Sequence, residues 1–535
     1  MAKIPAFMDL ITQNGEALVS GIMQMLERCP ADLITVRREV LMALKFFTSA
    51  EMKSKFFPML PRLISEHVVL GTGFTAIEHL RVFMYQMLAD LLHHMRNSIG
   101  YDMIAHVAFV FCRTLHDPNN TSQVQIMSAR LLNSLAESLS KMDSTDTTRD
   151  LLMEILEAHV AKLKIIAVYH MPILFQQYGT EIDYEYKNYE RESDKPGTNI
   201  PKDTIRGAPK RRIRKLSIDS VEELEYCSTE PSSSTSADAA CNRLPPPTKE
   251  DTKKTSPEAI LTNMNALTAP PLAIVEARNL VKYILQTCKF VTGQLRVSRP
   301  PQDMYHCTKE RDVFERLLRY GVMCMDVFVL PTARNQPQMH ASLRTKDEKD
   351  ALESLANVFT TIDHAVFREI FEKYMDFLIE RIYNRNYPLQ LIVNTFLVRN
   401  EVPFFASTML SFLMSRMKLL EVSNDKTTLY VKLFKIIFSA IGSTNSGLHS
   451  DKMLTSYLPE ILKQSTVLAL TAREPLNYFL LLRSLFRSIG GGAQDVLYGK
   501  FLQLLPNLLQ FLNKLTRKSC CTVHPPWPYS RNHIL

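Results

Sequence analysis

From Asp32 to Phe47 the chain reads DLITVRREVLMALKFF, with Val36, Val40, Ala43, Leu44 and Phe47 falling at i, i+4, i+7, i+8 and i+11. That spacing is one apolar face of a 3.6-residue helix. The same pattern returns in Leu80–Arg96, in Ile104–Leu115 ahead of a break at Asp117-Pro118, and in Val124–Leu139. Phe56–Ile64 keeps the apolar content but is interrupted by Pro58 and Pro61, which cannot donate to a helix interior. The second helix of each successive pair is predicted to start near residues 33, 77 and 122. A repeat of about 44 residues lies in the window of HEAT and armadillo units. Asp32, Val36 and Arg37 followed by Ala43-Leu44 also have the spacing of a HEAT second helix. A single pair cannot bury its apolar face, so neighbours must stack into a solenoid.

The periodicity fails between Tyr178 and Pro257. YGTEIDYEYKNYERESDK is charged and rich in tyrosine, and CSTEPSSSTSADAACNRLPPPTKEDTKKTSPEA is rich in Ser, Thr, Pro and charge. Such composition buries too little apolar area to offset the entropy of ordering it. We read it as a disordered insertion, a loop between two repeats. Ser256-Pro257-Glu258 then supplies a helix cap with proline at the first helical position. Helical pattern resumes in Leu272–Val291, Val366–Tyr383, Pro403–Leu420, Leu429–Gly442, Pro475–Gly492 and Phe501–Leu512. The expected organisation is all-α: HEAT-like repeats over 1–177, an insertion over 178–257, further repeats over 258–513, and a tail over 514–535. That tail is aperiodic and holds the single tryptophan, Trp527.

Composition agrees with this. Glycine is scarce, 16 of 535 residues, as expected of helices, where it costs about 1 kcal/mol relative to alanine. The net charge is +8, and Lys210, Arg211, Arg212, Arg214 and Lys215 supply five of those charges. Without them 58 basic residues face 55 acidic ones, so the folded part is close to neutral. A nucleic-acid binder spreads its positive charge over a folded face. Direct nucleic-acid binding is therefore not expected of the repeats, although the basic run by itself has the composition of a DNA-binding arm. No apolar run approaches 18 residues, which argues against a membrane span. Asp9, Gln13 and Asn14 break the first apolar run, which argues against a secretory signal. The nine cysteines form no CxxC pair and are expected to be reduced, partly buried thiols in an intracellular protein.

Candidate chemistry is sparse. Gly499-Lys500 fails as a phosphate loop, because Gln494 stands at the first glycine position and Phe501 where a hydroxyl is required. Gly490-Gly491-Gly492 instead reads as a helix end and turn. His93 and His94, adjacent on a helix with Asp90, point to different faces and read as a solvated helix edge. Cys520-Cys521 with His524 lacks the second ligand pair a zinc site needs. No nucleophile elbow or kinase element is present, so no enzyme and no cofactor are expected.

The run GAPKRRIRKLSIDS, residues 207–220, remains. Basic side chains at this density in an unstructured loop suit an extended peptide laid in an acidic groove, and Lys210, Arg211, Arg212, Arg214 and Lys215 are candidates for a nuclear-localisation signal. The partner would be an import receptor engaging residues 209–215. Ser217 lies three after Arg214, a spacing used by basophilic kinases, and phosphate there would oppose the run with about −1.5 to −2 charge.

QNGEALVSGIMQMLERCP (13–30), RNLVKYILQTCKFVTGQL (278–295), PLNYFLLLRSLFRSIGGG (475–492) and LLPNLLQ (504–510) resemble the N-terminal HEAT region of TRRAP-like proteins. These are very large members of the phosphatidylinositol-3-kinase-related family. The resemblance runs from about residue 3 to about 513. It implies a helical solenoid and a nuclear, non-catalytic scaffold of histone acetyltransferase coactivator complexes, of the SAGA type and the type acetylating nucleosomal H4. Partners implied are transcription activators and acetyltransferase-complex subunits. The family's FAT region and its kinase-like domain, which lacks catalytic residues, have no counterpart in this sequence. From Lys514 the sequence leaves the family's pattern. The rival readings are a HEAT-built nuclear transport receptor, which its near-neutral charge does not favour, and a nucleic-acid binder through Lys210–Lys215.

Overall fold

The computed structural model describes residues 11–178 (apart from 12, 31, 49, 50, 72, 73, 143 and 144), 272–298, 308–331, 345–385, 402–443, 449–490 and 495–521. Among them there is no strand. The longer helices, in chain order, are α1 Gly15–Arg28, α2 Ile34–Thr48, α3 Phe74–Met95, α4 Tyr101–His116, α5 Ser122–Leu139, α6 Asp146–Ile165, α7 Ile274–Val297 and α8 Thr308–Cys324. They continue as α9 Lys346–Phe359, α10 His364–Arg385, α11 Val402–Ser415, α12 Asp425–Ser443, α13 His449–Thr471, α14 Leu476–Gly490 and α15 Asp495–Cys521.

Helices start where the sequence offers a cap. Thr121, Thr145 and Thr345 accept from the backbone N–H three residues on, opening α5, α6 and α9. Before α12, Asn424 and Thr427 do this reciprocally: Thr427 N–H donates to Asn424 Oδ1 and Asn424 N–H to Thr427 Oγ1.

Packing sorts the helices into two layers. In the first, α2 packs on α3, α3 on α5, α5 on α7 and α7 on α9, and further along α12 packs on α14. In the second, α4, α6, α8, α10, α11, α13 and α15 stack in that order. The core is the seam between layers, a continuous chain of buried Leu, Ile, Val, Met and Phe from Val19 to Phe511. This is the expected α-solenoid. The three second helices predicted near 33, 77 and 122 begin at 34, 74 and 122 and lie in one layer.

The structure differs from the sequence reading at four places. The buried face of α2 is turned by one position: Val36 is 49% exposed, while Arg37 is 2% exposed alongside the wholly buried Leu41 and Leu44. Arg37 is accommodated because its guanidinium donates to three carbonyls, Cys29 O at the end of α1, Val68 O, and Val69 O at 2.9 Å. A guanidinium whose two terminal nitrogens are bonded in this way can occupy a core position that hydropathy assigns to valine, even with Nε buried and making no hydrogen bond.

Second, the segment 403–420 is not one helix. α11 ends at Ser415 and a 3-10 turn follows over Met417–Glu421. At the junction Arg416 stacks over the Phe412 ring and pairs with Asp376 of α10 at 2.6 Å. Third, the helix expected to end at Leu512 runs on to Cys521, so residues 514–521, assigned to the tail, are helical. Lys514, Leu515, Arg517 and Lys518 are good helix formers, and the next proline is Pro525.

Fourth, the insertion is not flanked by two complete repeats. α6 continues through a π turn, Ile166–His170, into a short helix, Met171–Tyr178. Pro172 has no N–H to give, and the π register, in which Met171 N–H reaches Ile166 O, accommodates it. When the chain is next described, α7 packs on both α5 and α6. The insertion thus leaves from one helix of a pair and returns as its mate. Its flanks meet locally: the 171–178 helix and α7 both rest on the 3-10 turn Met325–Phe328. Arg278 near the start of α7 donates to Val327 O at 3.1 Å and Leu330 O at 2.5 Å. The cap expected at 256–258 lies outside the described residues.

Candidate functional site

Two hollows are lined by side chains of the first layer. One, about 490 Å³, is formed by α2, α3, α5 and α7. Its lining is mixed in charge: Lys45, His93 and Arg130 face Asp90. Arg130 stacks over Tyr283 of the next helix, 5.2 Å from the ring centroid, and His93 Nδ1 lies 3.1 Å from Ser134 Oγ. His93 and His94 are exposed, as expected of a helix edge, yet His93 also bridges two repeats. Partial burial holds its pKa below the ordinary value, helped by the neighbouring Arg96 and His94.

The second hollow, about 480 Å³, lies between α12 and α14. Lys432 and Lys435 project from α12, Arg483 and Arg487 from α14, and Val431 and Leu480 contribute apolar surface. The residues lining this hollow include no carboxylate. An apolar hollow of about 450 Å³ adjoins it between α14 and α15, and Arg483 and Arg487 line both.

A third polar cluster is structural. His116 Nε2 donates to Ala158 O at 2.9 Å, His159 Nδ1 to Ile155 O at 2.7 Å, and Lys162 is 2% exposed one turn further along α6. Burial pulls His116 down to about 3, His159 and His170 to about 4, and Lys162 to about 7, the last opposed by the Asp117 carboxylate.

Cys288 and Cys324 are buried, and Cys29 and Cys112 partly so, all four as free thiols. Among the described residues no group of His, Cys, Asp and Glu could hold a metal ion, and no helix is long and apolar enough to cross a membrane. The nuclear-localisation candidates Lys210, Arg211, Arg212, Arg214 and Lys215, and the phosphorylation candidate Ser217, lie outside the described residues. Sequence reasoning missed the α12–α14 hollow, although KLFK (432–435) and RSLFR (483–487) each space two cations by one helical turn.

The family described as the Tra1 HEAT repeat central region matches residues 2–524. The chain belongs to this family. It is 86% identical over 526 residues to Transcription-associated protein 1 of Caenorhabditis elegans, covering 97% of this chain and 13% of that protein. To the human Transformation/transcription domain-associated protein it is 30% identical over 526 residues, 96% of this chain and 13% of the relative. To the SAGA complex/NuA4 acetyltransferase complex subunit TRA1 of Saccharomyces cerevisiae it is 26% identical over 545 residues, 92% of this chain and 14% of the relative. The chain thus spans about an eighth of the length of these proteins.

Proposed function

We propose that this chain is a non-catalytic assembly and docking module of a histone acetyltransferase coactivator complex, of the SAGA and NuA4 types, and regulates transcription in the nucleus. The observation that carries this reading is the family match along nearly the whole chain, together with the yeast relative's designation as a subunit of both complexes. The fold supports it. A two-layer helical stack offers extended surface with hollows between neighbours, which suits binding of extended or helical partner segments. The activators expected as partners would dock on the first layer. Import would use Lys210, Arg211, Arg212, Arg214 and Lys215 as the signal, with Ser217 phosphorylation weakening it.

Affinity purification of the tagged 535-residue chain from nuclear extract, with mass spectrometry of co-purifying proteins, tests the reading. Acetyltransferase-complex subunits or transcription activators are the expected result, and chaperones alone would overturn it. Deleting 207–220 should abolish nuclear uptake of the chain without altering what it binds in extract. If deletion instead removed a salt-sensitive DNA-binding activity, the run would be a nucleic-acid arm.

A further inference from the structure

Neighbouring helices in this solenoid commonly interlock through complementary charge. Lys282 of α7 pairs with Asp347 of α9, Arg316 of α8 with Glu157 of α6 at 3.4 Å, and Lys373 of α10 with Glu315 of α8 at 2.5 Å. The α12–α14 contact is built the other way. Lys432 and Lys435 on one helix confront Arg483 and Arg487 on the other across one hollow, all four exposed. None of the four has a carboxylate in ion-pairing distance among the described residues. Like charges facing each other cost stability in the free protein, and the cost is removed when an anion occupies the space between them.

The remaining polar groups narrow the kind of anion. Thr428 Oγ1 donates to Asn424 O at 3.0 Å, Ser484 Oγ to Leu480 O at 2.8 Å and Ser488 Oγ to Phe438 O at 2.6 Å. Asn477 Nδ2 donates to Leu420 O at 3.1 Å. These four side chains are committed to the backbone, which leaves Ser439 as the remaining short polar side chain of the lining, too little for a rigid cage around a small phosphate. What faces a ligand is four cations on long stems, with Val431 and Leu480 between them. The adjoining hollow adds Phe479, Phe486, Leu508 and Leu512, reached past Arg483 and Arg487. No aromatic ring lines the basic hollow itself, so a stacking platform for bases is lacking.

We infer that the α12–α14 groove docks an acidic amphipathic helix of a partner protein, its carboxylates on Lys432, Lys435, Arg483 and Arg487 and its apolar side chains on Leu480 and the neighbouring hollow. This rests on the docking role proposed above and assigns that role a site and a ligand chemistry. Apolar burial supplies affinity, and the four cations supply orientation and on-rate.

The test uses the full 535-residue chain and a fluorescein-labelled 20-residue peptide carrying Glu and Asp, with Leu and Phe at helical i, i+3, i+4 and i+7. Anisotropy should show saturable binding that weakens as salt rises from 50 to 300 mM. Lys432→Glu with Lys435→Glu, or Arg483→Glu with Arg487→Glu, should each weaken it at least tenfold, and Arg130→Glu in the other hollow should leave it unchanged. A peptide of the same composition with its apolar positions dispersed should bind several-fold more weakly. Equal binding of the dispersed peptide, tighter binding of a 20-nucleotide single strand, or indifference to both double reversals would overturn the inference. Circular dichroism checks the reversed variants, and Lys→Gln with Arg→Gln at the four positions replaces any that misfold. If the variants lose the peptide but still recover acetyltransferase subunits from nuclear extract, the groove is the peptide's site and assembly uses another surface. If the wild-type chain recovers those subunits yet ignores the peptide, the assembly reading stands and this inference falls.

Discussion

Arg381 of α10 donates to the Asp326 carboxylate across 2.9 Å, with the two side chains only 2% and 1% exposed. Asp326 sits in the turn that ends α8, so the pair fastens two second-layer neighbours from inside. The Arg381 guanidinium also lies 5.7 Å from the Phe377 ring centroid. Removing one partner strands a buried charge, which costs about 3–5 kcal/mol, whereas replacing both with apolar residues of like volume is often close to neutral. Arg381→Met alone and Asp326→Leu alone should therefore be strongly destabilising, and the double variant should recover most of the loss. Urea denaturation of the four proteins measures this, and additive losses would show that the pair is not coupled.

Arg37 performs the corresponding task near the start of the chain, where its donors gather the ends of α1 and of the short helix Glu66–Val69. Arg37→Lys retains the charge but loses the planar fork that reaches three carbonyls at once. We expect Arg37→Lys to cost about 2 kcal/mol and Arg37→Ala about 3 kcal/mol or more, since buried carbonyls lose their donor. A lysine variant as stable as wild type, measured by urea denaturation, would refute the staple.

These residues show what was legible in the sequence. The helices, their period and the shared layer of α2, α3 and α5 were readable, because 3.6-residue patterning records burial directly. Arg37 was readable as part of a spacing but not as a core residue, since its burial depends on carbonyls 8, 31 and 32 residues away. The cation pairs of the α12–α14 groove were visible singly. Their confrontation was not, because it arises only when α13 passes into the other layer and leaves α12 against α14.

Buried titratable groups make stability depend on pH. Burial depresses His116 to about 3 and His159 to about 4. Between those values and the ordinary 6.5 the unfolded chain binds more protons than the folded one, so stability rises with pH across that window. Acidifying from pH 7 to 5 should cost about 2 kcal/mol for each histidine. Lys162, depressed to about 7 from its ordinary 10.5, has the same sign higher up, its penalty fading as pH rises from 7. Denaturant midpoints should thus fall on acidification, and His116→Gln with His159→Leu should flatten the fall. An unchanged slope in that variant would show that other groups carry it.

Because α7 covers α5 and α6, residues 179–271 should be dispensable for the fold. Their flanks converge on the Met325–Phe328 turn, and a 20-residue Gly/Ser linker reaches about 25 Å as a random coil. Replacing 184–265 by 20 residues takes the connection over 179–271 from roughly 90 to roughly 30 residues, which for a random coil lowers the closure cost by about 1 kcal/mol. Replacing 184–265 with such a linker should leave the helical signal of the described repeats intact and raise the denaturation midpoint slightly. Nuclear uptake should disappear with the same replacement, since Lys210, Arg211, Arg212, Arg214 and Lys215 are removed. Restoring residues 207–220 within the linker should return uptake without changing stability. A replaced chain that unfolds would mean that α7 needs the insertion to find its place. One that folds and still enters the nucleus would place the import signal elsewhere.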